Sequence, residues 1–403
     1  MVHQPVHAVG LSERRYDLDW LRLITMCVLL FFHVGALFNT WWWLVKNSEL
    51  TDRLHYPMIW VQFWRMPLLL FISGAGTYLA MNKRSLPQYA FERIKRLLIP
   101  LIFGVLVVGP PQIYYQHKDQ YDSYLEFYTK NFDLNYDPSG PFAWHHLWFI
   151  AYLLIFSFLA LPLLAFMRSA RYEKVKGRLE ILLMKPLSIL FIPAGVMMLT
   201  QILLRPYFPN DTYYLWGDWS FFTLYLCFFL LGLLCYSSQK IWTFIGDNRT
   251  FIFVATIMAA LLYGCYRYLR TVRRFPWSDL SDRIPYDVLT VLVGWFTILT
   301  IIGYGQHYLN RPHRFLPKIN EGIYPFYIIH QPLIVVIGYY VCQLDWSITL
   351  KYWSVVTLTL VSFAMIYFLL ITPFKLTRFL FGMKQRKGNK PSTMDLKESL
   401  SPA

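Results

Sequence analysis

Long apolar runs alternate with short polar connections along this chain, and the runs have the length of helices that cross a bilayer. Such a helix needs about 20 apolar residues at 1.5 Å rise each. Ten runs fit, at residues 20–40, 58–80, 97–115, 146–166, 187–204, 219–237, 250–268, 287–303, 322–342 and 350–372. The first is followed at once by Trp41-Trp42-Trp43, the composition of an aromatic interface belt, and has no small-residue cleavage site of the kind a secretory signal carries. The fifth contains Pro193 and Gly195 and the eighth is short, so these two are the least regular. The pattern predicts an all-α polytopic membrane protein. About ten transmembrane helices form one bundle over residues 16–372, and a basic cytoplasmic tail follows at 373–403.

Composition narrows the class. Charged residues make up 15% of the chain, against about 25% in soluble domains, and 56% is hydrophobic, which excludes a disordered chain. The five cysteines form no CxxC pair and lie in or at the ends of apolar runs, as buried, inert thiols do. There is no HExxH, no phosphate-binding glycine loop and no GxSxG. The adjacent His145 and His146 cannot both face one ion from a helix, so no metal is expected.

The net charge of +15 would fit nucleic acid or anionic lipid, and its distribution decides. With ten spans and a cytoplasmic N-terminus, both termini are cytoplasmic. That side then holds 26 Lys and Arg against 12 on the other. The bias is the positive-inside pattern of a multi-pass membrane protein and gives no reason to expect nucleic acid as a partner. One segment dissents: Arg267, Arg270, Arg273, Arg274 and Arg283 fall outside, interleaved with Asp279, Asp282 and Asp287, as a loop lining a site would be.

Ionisable residues inside an apolar span cost at least about 2.5 kcal/mol each on insertion scales, so they need partners or a function. The first span carries Asp19, Arg22 and His33. Asp19 and Arg22 are i,i+3 neighbours able to pair. His33 follows Arg22 by eleven residues, which returns it to within about 20° of the same face, about 16 Å further along the axis. That face is either a polar stripe packed between helices or an anchor at one depth with a reactive group at another.

Three more clusters have the same double reading. Ser73-Gly74-Ala75-Gly76 permits close helix approach, and the run Arg93-Ile94-Lys95-Arg96 that follows is either membrane anchoring or a cradle for phosphate. His146-Leu147-Trp148 is an interface belt or part of a site. Tyr324, Tyr327 and His330 mark one polar edge of the ninth span, as a structural cluster or a functional one.

Taken in order, these residues resemble the acyltransferase 3 family of integral membrane acyltransferases. The matching motifs are Asp19-Trp-Leu-Arg22 with His33, Ile72-Ser73-Gly74, Arg93-Ile-Lys-Arg96-Leu-Leu-Ile-Pro100, His146-Leu-Trp148-Phe149 and Tyr327-Ile-Ile-His330-Gln331-Pro332. The family pattern places an aromatic or aliphatic residue after Ser-Gly. Here Ala75-Gly76 follows, a departure expected to loosen the helix contact and to touch no site group. The resemblance implies transfer of an acyl group, acetyl or succinyl, from cytoplasmic acyl-coenzyme A to a hydroxyl of an extracytoplasmic carbohydrate, such as a glucan or another exported polysaccharide. It also implies a bacterial inner-membrane location and acyl-coenzyme A as a substrate, with no bound cofactor.

A sugar hydroxyl is a poor nucleophile near neutral pH, so attack on a thioester needs a base, and histidine is the usual one. His33 is the candidate. Arg22 is expected to hold the donor's phosphate or to fix the helix, with Asp19 orienting it and Arg93 and Arg96 as further donor-binding groups. His146, Trp148, Tyr327 and His330 are expected on the acceptor side, orienting the acceptor or polarising the thioester carbonyl. The rival class is a proton-coupled exporter of a polar metabolite or glycan. It would show broken helices in matched positions of two halves, and the sequence shows no such pairing.

The charge count yields a direct test of orientation. On intact cells, a membrane-impermeant thiol reagent is expected to label a single cysteine placed at Asp122 and not one placed at Lys176. The opposite pattern reverses the donor and acceptor sides.

Overall fold

The computed structural model describes residues 14–81, 84–131, 140–209, 211–273 and 280–384. Among these residues there is no strand, and the helices follow one another in an antiparallel bundle. In chain order they are α1 (Tyr16–Ala36), α2 (His55–Met81), α3 (Leu86–Gln116), α4 (Tyr124–Asn131), α5 (Trp148–Leu159), α6 (Leu161–Phe166), α7 (Ala170–Leu183) and α8 (Pro186–Leu204). Then come α9 (Trp219–Ser237), α10 (Gln239–Asp247), α11 (Arg249–Arg273), α12 (Leu280–Tyr308), α13 (Leu316–Val341), α14 (Ile348–Ile371) and α15 (Lys375–Leu380).

Nine helices among the described residues are long and apolar enough to span a bilayer. The tenth run, expected as one span at 146–166, is instead a short apolar helix, α5, that breaks at Ala160 and restarts as α6. Pro162 causes the break: it has no N–H to donate to the carbonyl of Phe158. The third helix begins eleven residues before the expected start. Ser85 caps it, accepting from Gln88 N while Gln88 accepts from Ser85 N at 3.0 Å.

Farther along α3, Pro100, Pro110 and Pro111 remove three donors. Two wide turns, Ile94–Leu98 and Gly104–Val108, close through bonds to the fifth residue back, such as Gly109 N to Gly104 O at 2.7 Å. The expected outer arginine loop is largely helix as well. Arg267 and Arg270 sit on the last turns of α11, and Arg283 lies near the start of α12. No glycine intervenes after Gly264, and no proline before Pro276, so the helix runs on past the apolar stretch. Arg274 and Asp279, the loop residues Asp133 and Asp137, and the tail beyond residue 384 lie outside the described residues.

The bundle is organised around α1 and α2. Helix α1 packs against α2, α12, α13 and α14, and α2 packs most closely on α9. At that crossing two glycines bring backbones together. A Cβ on Gly74 would lie 2.0 Å from the carbonyl oxygen of Phe229, and one on Gly232 would lie 1.9 Å from that of Phe71. In a bilayer such close approach is the source of helix affinity, because apolar burial alone gains little against lipid. Helices α11 and α14 present most of their apolar surface outward, where lipid covers it.

The two faces of the bundle differ. One gathers both described ends of the chain. Tyr16 N donates to Asn310, Arg168 donates to the Met81 carbonyl at 3.0 Å, and Arg378 pairs with Glu321 at 2.6 Å. The other carries Trp41–Trp43, α4, and the connections around residues 140–147 and 205–218.

The glycine crossing gives a stability prediction. Gly74→Ala and Gly232→Ala are each expected to destabilise the folded protein in detergent by at least the ~1–3 kcal/mol typical of overpacking. Gly195→Ala, with nothing within 4 Å of the added methyl, is expected to be neutral or slightly stabilising. Equal thermal unfolding shifts for all three would show that the crossing is not sterically limited.

Candidate functional site

Helix α13 contains Pro325 and Pro332. Pro332 cannot donate to the carbonyl of Ile328, and that carbonyl instead meets the ring of His146, whose Nε2 lies 3.0 Å away. A carbonyl only accepts, so Nε2 of His146 carries the proton. The Tyr327 hydroxyl donates to the backbone carbonyl of His146. Two bonds from one turn of α13 thus hold the short turn His145–Leu147 that starts α5. His145 has a φ of 38°, a left-handed conformation that a bulky side chain rarely adopts.

The same turn of α13 fixes His33. Nδ1 of His330 lies 2.7 Å from the carbonyl of Tyr327 and must donate to it. Neutral His330 therefore has a bare Nε2, and Nδ1 of His33 lies 2.9 Å from it. His33 donates across that contact, so its own Nε2 is left unprotonated. The chain of donors runs in one direction, from His33 to His330 to a backbone oxygen. The two rings are stacked within 14° of parallel, and the Trp43 ring lies 5.1 Å from that of His33.

His33, His146, Trp148 and Tyr327 line one cavity of about 710 Å³, together with Trp41, Trp43, Trp144, Tyr213 and Gln331. His330 stands behind His33, fully buried. A polar wall closes the far side. Arg205 pairs with Asp211 at 2.5 Å and approaches Asp287 at 3.9 Å, and Asp287 lies 3.7 Å from Arg283. Asp218 caps α9 by accepting from Phe221 N and Thr212 N at 2.9 Å each, while burial pushes its carboxyl up to about 6. Burial also pushes the Tyr213 hydroxyl up to about 12, so it lines the cavity as a neutral group.

Trp144, Tyr213, Arg205 and Asp211 escaped sequence analysis, and so did the cavity residue Arg65, in the middle of α2. Its guanidinium lies 3.5 Å over the Phe32 ring. The signal was present, a lone arginine in the apolar run from Trp60 to Ala75, but it has no spacing partner within its own helix.

The remaining predicted residues lie at the opposite end of α1. Arg22 rests on Gly76, where an added Cβ would lie 2.9 Å from its Nη2. The departure at Gly76 therefore does touch a predicted site group: it makes room for Arg22. Arg93, on α3, donates to Thr77 at 3.4 Å and covers the Tyr89 ring, facing the same space. Asp19 is held mainly by Arg14, at 2.7 and 2.9 Å, and stands 3.7 Å from Arg22. Arg96 neighbours Glu92, Arg84 and Arg93, and its carbonyl packs against Gly382. The predicted residues thus form two groups, cations at one end of α1 and histidines at the other.

Comparison with known proteins places the whole bundle in one family. The family model of the acyltransferase 3 domain matches residues 15–374. Glucans biosynthesis protein C of Escherichia coli O17:K52:H18 is 24% identical, over 82% of this chain and 84% of that protein. The protein of the same name from Shigella dysenteriae serotype 1 is 23% identical over the same shares, and that of Escherichia coli K12 is 24% identical. No solved structure matches. With a family model covering nearly all of the bundle, the chain belongs to the acyltransferase 3 family and is an integral membrane acyltransferase.

Proposed function

We propose that this protein transfers an acyl group, acetyl or succinyl, from acyl-coenzyme A to a hydroxyl of an extracytoplasmic carbohydrate, with His33 as general base. The observation that carries the reading is the one-way chain from His33 through His330 to the Tyr327 carbonyl, which leaves Nε2 of His33 bare on the wall of a cavity. The relatives' name, glucans biosynthesis protein, supports a glucan or similar carbohydrate as acceptor. The aromatic walls at Trp41, Trp43, Trp144 and Tyr213 are suited to sugar rings, whose apolar faces stack on aromatics.

The acceptor hydroxyl donates its proton to Nε2 of His33 as its oxygen attacks the thioester carbonyl carbon. The imidazolium that forms keeps its Nδ1–H on His330. Collapse of the tetrahedral intermediate breaks the carbon–sulfur bond, and the departing thiolate takes the proton back from His33. The products are an ester and coenzyme A, and the histidine is restored. At the other end of α1, Arg22, 3.7 Å from Asp19, and Arg93, with one donor on Thr77, keep further guanidinium N–H groups suited to the donor's phosphates. The positive-inside bias supports placing that end in the cytoplasm of a bacterial inner membrane, which makes the histidine cavity the acceptor side.

Purified His33→Ala is expected to fold and insert while turnover falls at least about 100-fold, the lower end of general-base contributions. His330→Gln, whose amide oxygen can still accept from His33, is expected to retain more activity than His330→Leu. Near-normal transfer by folded His33→Ala removes His33 from the mechanism.

For the donor end, Arg22→Gln and Arg93→Gln are each expected to weaken coenzyme A binding, by isothermal titration, with acceptor binding unchanged. Lysine at either position restores only part, because it lacks the planar fork. Unchanged affinity in both variants assigns these arginines to helix anchoring alone.

A further inference from the structure

Arg65 is a half-buried cation with no ion pair among the described residues. Its Nε and Nη1 are buried and have no hydrogen-bond partner among the described residues. The carboxylates that line the same cavity, Asp211 and Asp287, are engaged by Arg205 and Arg283. Besides His33, its ionisable neighbours are the tyrosines Tyr213, Tyr225 and Tyr327. The face of Phe32 supplies its one close attraction. An arginine held in this way inside a membrane helix is poised for an anion that is not part of the resting protein.

Its position relative to His33 says where that anion forms. Phe32 and His33 are consecutive, with ring centroids 5.7 Å apart, so a single ring separates the guanidinium from the imidazole. Both line the cavity. A hydroxyl on Nε2 of His33 and the carbonyl it attacks would lie in that cavity, beside the Phe32 ring, in the space that the guanidinium also lines. Among the other donors of the site, the Tyr327 hydroxyl is committed to a backbone carbonyl, Nε2 of His146 to Ile328, and the amide nitrogen of Gln331 to Gln112 at 3.1 Å; Nε1 of Trp43 is unpartnered but carries no charge.

We propose that Arg65 is a catalytic residue whose guanidinium receives the negative charge that develops on the acyl carbonyl oxygen during transfer. This rests on the acyl-transfer reading above. As the hydroxyl oxygen bonds to the carbonyl carbon, the carbonyl π pair moves to oxygen. Arg65 donates hydrogen bonds to that oxyanion and keeps all its protons. When the carbon–sulfur bond breaks, the pair returns to the carbonyl and Arg65 is released unchanged. Donors fixed in advance inside a water-poor site are most effective where charge appears only in the transition state.

The test uses the full-length protein in detergent, as wild type, Arg65→Gln and Arg65→Lys. Removing one oxyanion donor is worth about 100- to 1,000-fold in kcat. Arg65→Gln is expected to lose that much with KM for donor and acceptor nearly unchanged, and Arg65→Lys to recover part. Its thermal unfolding temperature is expected to hold or rise, because an uncompensated buried charge is removed; a structural arginine gives the opposite sign. Three results overturn the proposal: kcat within threefold of wild type, a raised KM with unchanged kcat, or a fall in activity matched by a fall in stability. A second readout needs no turnover. The methylphosphonate monoester of glucose, a tetrahedral anion, is expected to bind wild type at least tenfold more tightly than Arg65→Gln. If wild type transfers no acyl group but still binds the phosphonate through Arg65, the acyl-transfer reading fails and Arg65 remains the anion-receiving group. Equal phosphonate binding by both proteins overturns the assignment whatever the turnover.

Discussion

A backbone carbonyl in the hydrocarbon region has no water to bond, so it must find a partner within the protein. Pro332 creates such a carbonyl at Ile328, and the bond from His146 satisfies it. That contact ties the short turn before α5 to the middle of α13, with the Tyr327 hydroxyl as a second tie. Once α13 is fixed against this turn, His330 and the Tyr327 carbonyl are fixed as well, and they set the proton position on His33. The proline is thus the origin of the site's order. A neighbouring side chain relieves the defect that it makes in the helix ladder, and the relieved defect holds a histidine with a defined tautomer.

Helix α1 joins two chemistries without a break. Arg22 and His33 share a face of one rigid helix, with about 16 Å between them. Under the proposed function, an acyl-coenzyme A would reach along such a face, with its phosphates at one end and the reacting carbon at the other. The glycines of α2 serve the same arrangement. Gly74 lets α2 settle on α9, and two residues later Gly76 leaves space for the Arg22 guanidinium. The helix crossing and the placement of Arg22 are set by neighbouring turns of a single helix. A substitution chosen to tighten the bundle there would also press on the cationic end of α1.

The cavity combines committed and uncommitted groups. Asp211, Asp287, Arg205 and Arg283 neutralise one another in its wall. The aromatic rings give it shape. Among the polar atoms left without a partner in its lining are Nε and Nη1 of Arg65, Nδ1 of His146 and Nε1 of Trp43, and of these only Arg65 carries a full charge. Membrane proteins pair their buried charges because isolated ones are costly, which is why an unpaired guanidinium at a cavity supports the proposal for Arg65.

The all-helical membrane class was legible in the sequence because apolar length is a one-dimensional property, and nine of the ten runs became long apolar helices. The residues of the site were mostly legible too, since each is a polar group where an apolar one is expected. Three things were not. The broken fourth span depended on whether Pro162 would be bridged or would interrupt, a choice made by packing. The start of α3 and the extent of α11 depended on capping and on the absence of breakers beyond the bilayer. Above all, the sequence carried no distance between helices: it placed His33 and His330 297 residues apart, and only the fold put their nitrogens at 2.9 Å. Arg65 was overlooked for the same reason. Its significance lies in having no partner, and a lack of partners is a property of three dimensions that no spacing along one helix can express.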